Sequence, residues 1–306
     1  MMLKQTELIT NQSSQKPMPK EPKKQTYSKT QTRLRSSNYY DIATDWPYQS
    51  VSWFKKFMNC EAEALAELKG TWRPERDQTA LLVGNYLHSY FESKKAHEAF
   101  IKAHETDIKT RSGTLRAPFQ TAESMIYALR HYYNESAKRW RLDKDFLDLY
   151  RGRKEVIVTG NIFGIKWKGK LDCLNLNRQV FIDLKTTRSI RDKQWNPETM
   201  HKESFIYNYN YYLQLAVYQE LIKQQYGVEC RPIIYAVSKE KVPDKQGFIF
   251  TSDEDQWQLQ RAMETIKALQ PHIEAVKTGE EKPIRCEHCD YCKATRGTTL
   301  MPASEL

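Results

Sequence analysis

The chain is poor in the residues that mark specialised protein classes. Eleven glycines and twelve prolines among 306 residues exclude a collagen-like chain. Only six cysteines are present, and three of them (Cys286, Cys289, Cys292) fall within seven residues, which a secreted disulfide framework does not explain. No run approaches the ~18 apolar residues of a membrane span. The first ten residues contain Lys4 and Glu7 and lack the apolar segment of a secretion signal. These absences lead us to expect a cytoplasmic protein with no membrane association. A content of 40% hydrophobic and 28% charged residues is that of a globular chain and excludes wholesale disorder. No internal repeat is found.

Acidic residues are also in deficit, giving a net charge of +10 and pointing to an anionic partner. Residues 1–37 hold eight basic and two acidic residues, so most of the excess sits there. That segment, rich in Gln, Lys, Ser, Thr and Pro, cannot bury enough surface to offset ordering entropy and is expected to be a disordered basic tail. Residues 38–306 are expected to form a single domain.

The patterning predicts a helix from Ser50 or Ser52 to about Lys69 carrying Cys60, and another from Asp77 or Thr79 past Glu92. A further helix is expected over about Phe119 to Trp140. Short β-branched runs at 155–158, 162–167, 171–176 and 179–184 suggest an antiparallel meander. A helix over about Ser204–Tyr226, strands at 232–237 and 247–250, and a helix over 253–277 follow. The order predicts an α/β or α+β fold with a mixed sheet flanked by helices.

The chemistry concentrates between Gly169 and Thr187. Asp172 is expected to open one strand of a hairpin and Asp183 to close the next. Carboxylates brought close together are costly unless a cation lies between them, and hard oxygen ligands favour Mg²⁺ or Mn²⁺. Asp183 and Lys185 are two residues apart and share a face of an extended strand, with the Leu184 carbonyl between them as a further ligand. An ammonium there can orient water or offset charge on a phosphate. An Asp-x-Lys at a strand end is more often a solvated surface pair, but an apolar strand runs directly into this one.

The set Asp172…Asp183-Leu184-Lys185 resembles the core of the PD-(D/E)XK nuclease superfamily. Gly84-Asn85-Tyr86-Leu87-His88-Ser89-Tyr90-Phe91-Glu92 resembles the Gly-x3-His-x3-Glu helix of its RecB-like and RecE-like branch. Gln214-Leu215-Ala216-Val217-Tyr218 resembles that branch's Gln-x3-Tyr helix. The opening Tyr48-Gln49-Ser50-Val51-Ser52-Trp53-Phe54-Lys55 and the C-terminal cysteines look like a phage and prophage family related to RecE exonuclease. The resemblance implies a restriction-endonuclease-like core. It also implies that Asp172, Asp183 and the Leu184 carbonyl bind the catalytic metal, and that Lys185 contacts the attacking water or the scissile phosphate. His88 is implied near the metal or phosphate, and Gln214 and Tyr218 on the DNA-facing side. Gly84, His88 and Glu92 share one helix face, where Gly84 would admit a close backbone. Glu155 is a weaker candidate for a second metal, exposure at a strand start being an equally good reading. Glu92 is read as a surface charge or a ligand's support.

Cys286, Cys289 and Cys292 have the spacing of the first three ligands of ferredoxin-type clusters. Some RecB-like nucleases have an iron–sulfur staple with one cysteine before the core and three after it. By that resemblance Cys60 completes a [4Fe–4S] site, in competition with Zn²⁺ on the same cysteines or with His288 in place of Cys60, and with no metal at all. Cys173 and Cys230 are read as buried small hydrophobes. Lys166, Lys168 and Lys170 alternate on one strand face that can track phosphates or form a solvated edge. Tyr207, Tyr209, Tyr211 and Tyr212 are read as base-stacking or as core.

The expected function is metal-dependent DNA hydrolysis. The resemblance implies 5′-to-3′ digestion of duplex ends, a 3′ single strand for a RecT-type annealing protein, and ring-shaped homo-oligomers. The competing readings are a RecB-like or CRISPR-adaptation-like nuclease of other polarity or endonuclease activity, and a catalytically silent, zinc-stapled DNA-binding module.

Overall fold

The computed structural model describes residues 34–75, 77–196 and 199–298, with residues 300, 302 and 304. The tail expected over residues 1–37 therefore lies outside the described residues except for 34–37. Helices α1 (Ile42–Asp45), α2 (Val51–Asn59), α3 (Glu61–Leu68), α4 (Thr79–Glu92), α5 (Lys94–Ala103), α6 (Glu105–Ile108) and α7 (Ala117–Arg130) come first. A hairpin of β1 (His131–Asn134) and β2 (Arg139–Leu142) leads to α8 (Lys144–Leu149). Strands β3 (Arg153–Ile162), β4 (Ile165–Asn175) and β5 (Val180–Thr187) follow, then a small hairpin of β6 (Gln194–Asn196) and β7 (His201–Glu203). The chain finishes with α9 (Phe205–Asn208), α10 (Tyr211–Tyr226), β8 (Arg231–Ser238), β9 (Lys245–Ile249), α11 (Asp253–Thr278) and α12 (Asp290–Thr295). No described helix is long and apolar enough to cross a membrane.

The central sheet has the order β3-β4-β5-β8-β9. Its neighbours are antiparallel except β5 and β8, which run parallel because α10 crosses between them. This is the mixed, helix-flanked sheet expected. One face buries Phe54, Trp167, Phe181 and Leu215 beneath α2, α10 and α11. The other buries Ile182, Leu184, Leu87 and Met125 beneath α4 and α7. Burying both faces explains why β5 reads as a nearly unbroken apolar run.

Several local expectations are corrected. The run at 162–167 is split by a two-residue turn, Phe163-Gly164, with φ of +48° and +87°, so that Ile162 ends β3 and residues 165–175 continue through the second run as one strand, β4. The helix expected to Lys69 is interrupted at Cys60, whose backbone is extended (φ −161°, ψ 107°). The helix expected from Ser204 is broken at Asn210, which adopts φ +47°. The helix expected to reach Trp140 stops at Arg130, and β-prone aromatics on either side of the Asn134–Lys138 turn pair instead.

The N-terminal segment is fastened to the sheet by an internal charge. Lys168 is 2% exposed, and its Nζ contacts Asp45 Oδ1 (2.7 Å), Thr44 Oγ1 (2.6 Å) and the Tyr39 carbonyl (2.7 Å). Lys168 is thus spent inside the protein, which breaks the lysine face expected to track phosphates. Lys166 remains exposed, and Lys170 is half-buried against Glu155.

Candidate active site and cysteine centre

The site lies where the sheet opens. Strands β4 and β5 pair from Asn175↔Val180 to Cys173↔Ile182 and then part. At that point the Asp172 Oδ2 accepts the Leu184 N–H (2.7 Å), so a side chain replaces the lost ladder bond. Asp183 is 3% exposed. Its Oδ1 accepts from Gln214 Nε2 (2.9 Å), while its buried Oδ2 is paired with the Lys185 ammonium 2.5 Å away. Burial pushes the Asp183 carboxyl up against the opposing pull of Lys185, and the nearby Asp172 charge adds to the rise. Burial likewise disfavours ionised Asp172, but His88, Lys185 and the Leu184 N–H outweigh it and hold that carboxyl down.

Helix α4 delivers His88, whose Nδ1 is 3.3 Å from Asp172 Oδ1. Burial opposes protonation of His88, yet the Asp172 charge prevails and raises its pKa. Gly84 on this helix is not sterically required, since an added Cβ would meet nothing nearer than Thr186 Oγ1 at 4.0 Å. Glu92 is exposed. From the other side, α10 delivers Gln214. Tyr218, one turn on, is 8% exposed and hydrogen-bonded to Gln214, so it supports the glutamine rather than facing a substrate. Gly169 makes this possible, because a Cβ there would lie 2.8 Å from the Tyr218 ring.

Glu155 belongs to the site more firmly than its sequence position suggested. It has φ +50° and stands opposite Asp172 as the one unbonded position between Lys154↔Cys173 and Val156↔Leu171 in the β3–β4 ladder. For a non-glycine residue that backbone is uncommon. It sets the Glu155 carboxylate 2.5 Å from the Lys170 ammonium, and His88, Glu155 and Asp172 each offer a ligand atom within 4.8 Å of one another.

Lys55 was missed as a site residue, although it closes the quoted segment Tyr48–Lys55. Its Nζ donates to the Tyr209 carbonyl (2.6 Å) and lies 5.4 Å from the Tyr211 ring, which Lys185 approaches at 4.8 Å. Burial, with Lys185 nearby, lowers its pKa to about 7. Of the expected tyrosines, Tyr212 is buried and donates to Asp255 (2.9 Å), Tyr211 is half-buried at the site, and Tyr207 and Tyr209 are exposed.

The second centre is made of sulfur. Cys60, Cys286, Cys289 and Cys292 each place Sγ within 4.8 Å of the others. The closest pairs are Cys60–Cys292 (3.6 Å), Cys60–Cys289 (3.7 Å) and Cys286–Cys292 (4.0 Å). The break between α2 and α3 turns Cys60 toward this group. The Cys289 N–H donates to Cys286 Sγ (3.3 Å) and the Cys292 N–H to Cys289 Sγ (3.4 Å). Burial raises the Cys286 thiol, but the N–H groups of His288 and Cys289 bring it down to about 6. His288 instead contacts the Cys286 carbonyl through Nδ1 (2.8 Å), so Cys60 is the fourth member. Cys173 and Cys230 are buried elsewhere, as expected.

The sequence profile of the PDDEXK-like domain family of unknown function (DUF3799) matches residues 50–295. The chain belongs to this family. A crystal structure of a candidate exonuclease from Eubacterium rectale is similar, at 34% identity over 89% of this chain and 97% of that one, with a TM-score of 0.76. The structure of SSO0001 aligns over 82% of this chain at 15% identity with a TM-score of 0.28, too low to carry an argument. No curated protein matches the chain. The PDDEXK-like chain thus combines a nuclease fold with a carboxylate–lysine set at the opening of its sheet.

Proposed function

We propose that this PDDEXK-like protein is a metal-dependent DNA exonuclease. The observation that carries the reading is the convergence of Asp172, Asp183 and Lys185 at the β4–β5 opening, with the Lys185 ammonium 2.5 Å from the buried Asp183 Oδ2. The donor set of carboxylates, a carbonyl and an imidazole suits Mg²⁺ or Mn²⁺. Asp172, Asp183 and the Leu184 carbonyl would hold one cation, and His88, Glu155 and Asp172 form a second group of suitable donors. A bound divalent cation supplies Lewis acidity toward a phosphate oxygen and acidifies a water. Lys185 keeps its charge beside Asp183 and offsets negative charge developing on the phosphate. Gln214 fixes the Asp183 carboxylate, and Tyr218 fixes Gln214. Asp172 and His88 hold each other in place.

The RecE-like motifs support 5′-to-3′ digestion of duplex ends, leaving a 3′ strand for an annealing protein. End-labelled linear duplexes with Mg²⁺ or Mn²⁺ test both activity and direction. Immediate release of a 5′ label as short products, with progressive shortening of the 3′-labelled strand, is expected, and intact DNA across both metals would reject the enzyme.

We further propose that the four cysteines hold a metal centre joining the α2–α3 break to the C-terminal segment. Their sulfur separations suit one tetrahedral Zn²⁺, whose Zn–S bonds of about 2.3 Å imply S···S edges of about 3.8 Å. A [4Fe–4S] cluster would require the sulfurs to spread. Elemental analysis of anaerobically purified protein decides. Zinc near one per chain and no colour are expected, whereas a brown protein with iron and acid-labile sulfide would favour the cluster.

A further inference from the structure

The β1–β2 hairpin stands away from the central sheet with both faces open, and Arg139, Trp140, Arg141 and Leu142 are all exposed. Tyr127, Tyr132, Tyr133 and Trp140 are each between 43% and 55% exposed. Tyr127 stacks on His131 at 4.2 Å, and Trp140 sets its ring edgewise to Tyr127 (5.3 Å) and Tyr133 (5.7 Å). Between this group and the β8–β9 turn lies a groove of about 580 Å³, lined by Tyr127, His131, Tyr132, Trp140, Lys241 and Val242 among others. A two-stranded hairpin is marginally stable alone, and an exposed aromatic patch of this kind marks a contact surface.

The charge around the aromatics is positive and free. Lys138, Arg139, Arg141 and Lys241 make no ion pair among the described residues. Of the nearby acids, Asp143 is held by Lys245 (2.5 Å) and Glu123 accepts from Tyr86 (2.5 Å), while Glu135, Asp145 and Glu240, the last beside Lys241, are exposed. The hairpin is also tied to the catalytic sheet. Lys245 donates to the His131 carbonyl (3.0 Å), pairs in register with Val237, and Val237 pairs with Thr186, next to Lys185. The Lys245 backbone is therefore about two strand spacings, roughly 10 Å, from the strand position following Lys185, and the hairpin base lies a lysine side chain beyond it.

We propose that this surface holds single-stranded DNA, with bases on Tyr127, Tyr133 and Trp140, which meet on one face of the hairpin, and phosphates on Lys241 and on Arg139 and Arg141, whose long side chains start from the opposite face. The proposal rests on the nuclease reading, because digestion of a duplex end leaves one strand unpaired. Interleaved aromatics and cations are the means by which proteins hold single strands without reading sequence. Paired bases, stacked within a duplex, do not present their faces to such rings.

The test uses the full chain in EDTA with a fluorescein-labelled dT20 probe, followed by anisotropy over a range of salt. Trp140→Ala and the double variant Arg139→Glu/Arg141→Glu are each expected to weaken binding tenfold or more. The double variant should also flatten the log–log salt dependence by about 1.4, at about 0.7 for each phosphate no longer neutralised. Circular dichroism confirms folding, and Lys241→Glu repeats the test if a hairpin variant fails to fold. Cross-links from bromodeoxyuridine-substituted dT20 should map to residues 127–142. Wild-type affinity in the variants, or cross-links only elsewhere, overturns the proposal. So does loss of self-association with dT20 binding kept, which makes the surface an interface between copies. Duplex cleavage by the wild type with Mg²⁺ is measured alongside. Its absence rejects the nuclease reading, whereas the dT20 results judge the surface alone.

Discussion

The chain contains two clusters of ligand-type side chains that differ in what they leave undone. At the β4–β5 opening the donors are hard oxygens and an imidazole, and two carboxylates, Asp172 and the buried Asp183, lie near each other with the Lys185 ammonium 2.5 Å from Asp183 Oδ2. At the other centre four soft sulfurs face one another, and backbone N–H groups already support Cys286 and Cys289. The first arrangement is costly in the absence of a ligand and is suited to chemistry. The second is closed upon itself and suited to holding chain segments together. The contrast predicts that damage to the first costs turnover and damage to the second costs stability.

The largest effect is expected at Asp183. Asp183→Asn should lower duplex cleavage by about 10³-fold or more while leaving the protein folded, because Asp172 remains near the Lys185 ammonium when its closer partner is lost. Gel assays and thermal melts on the same preparation check the split. Next in size, Cys60→Ser should lower the melting temperature by several degrees or more, through loss of a centre that spans 232 positions of chain. Below its lowered melting temperature this variant should still cleave, and a full loss of cleavage in folded protein would erase the contrast.

How far these regions were legible from sequence follows from how local their chemistry is. Asp172, Asp183 and Lys185 sit within fourteen residues, and the two-residue period of a strand already places Asp183 beside Lys185. Cys286, Cys289 and Cys292 are equally local, and Cys60 was reached through resemblance. Glu155 was undervalued because its role depends on φ +50°, which no pattern of side-chain types announces. Lys168 was read as part of a lysine face tracking phosphates or forming a solvated edge because Asp45 and Tyr39, its partners, lie more than 120 residues upstream. Lys55 reaches the site only because α2 packs against the α9–α10 break. The β1–β2 hairpin was misread as helix because Met125, Leu129 and Tyr133 keep helical spacing across the true end at Arg130.

A smaller effect sharpens the account of the nuclease side. Gln214→Ala should reduce cleavage by about tenfold, with Gln214→Glu giving no rescue, because the Asp183 carboxylate would lose a donor and gain a repelling charge. Tyr218→Phe should fall between this variant and the wild type, since it removes only the support of Gln214. Equal losses in all three would mean that α10 acts through packing alone.

The smallest effect lies beside the cysteines. His272 bridges Glu61 (3.0 Å) and Glu281 (2.5 Å), and hydrogen bonding to these two carboxylates raises its pKa. Its stabilisation should be complete below the unfolded value near 6.5 and should fade as pH rises through the higher folded value. An exposed pair of this kind is worth about 1 kcal/mol or less. Melting curves of wild type and His272→Ala should therefore differ most at pH 6 and converge toward pH 9. A gap that widens with pH would reverse the assignment.

The most direct measurement is cleavage of an end-labelled linear duplex by the wild type and Asp183→Asn, with Mg²⁺, Mn²⁺ or EDTA. The account predicts that the wild type shortens the duplex only when a divalent metal is present, and that folded Asp183→Asn leaves it intact. A wild type that leaves DNA whole in both metals, or an Asp183→Asn protein that cuts as fast as the wild type, would contradict it.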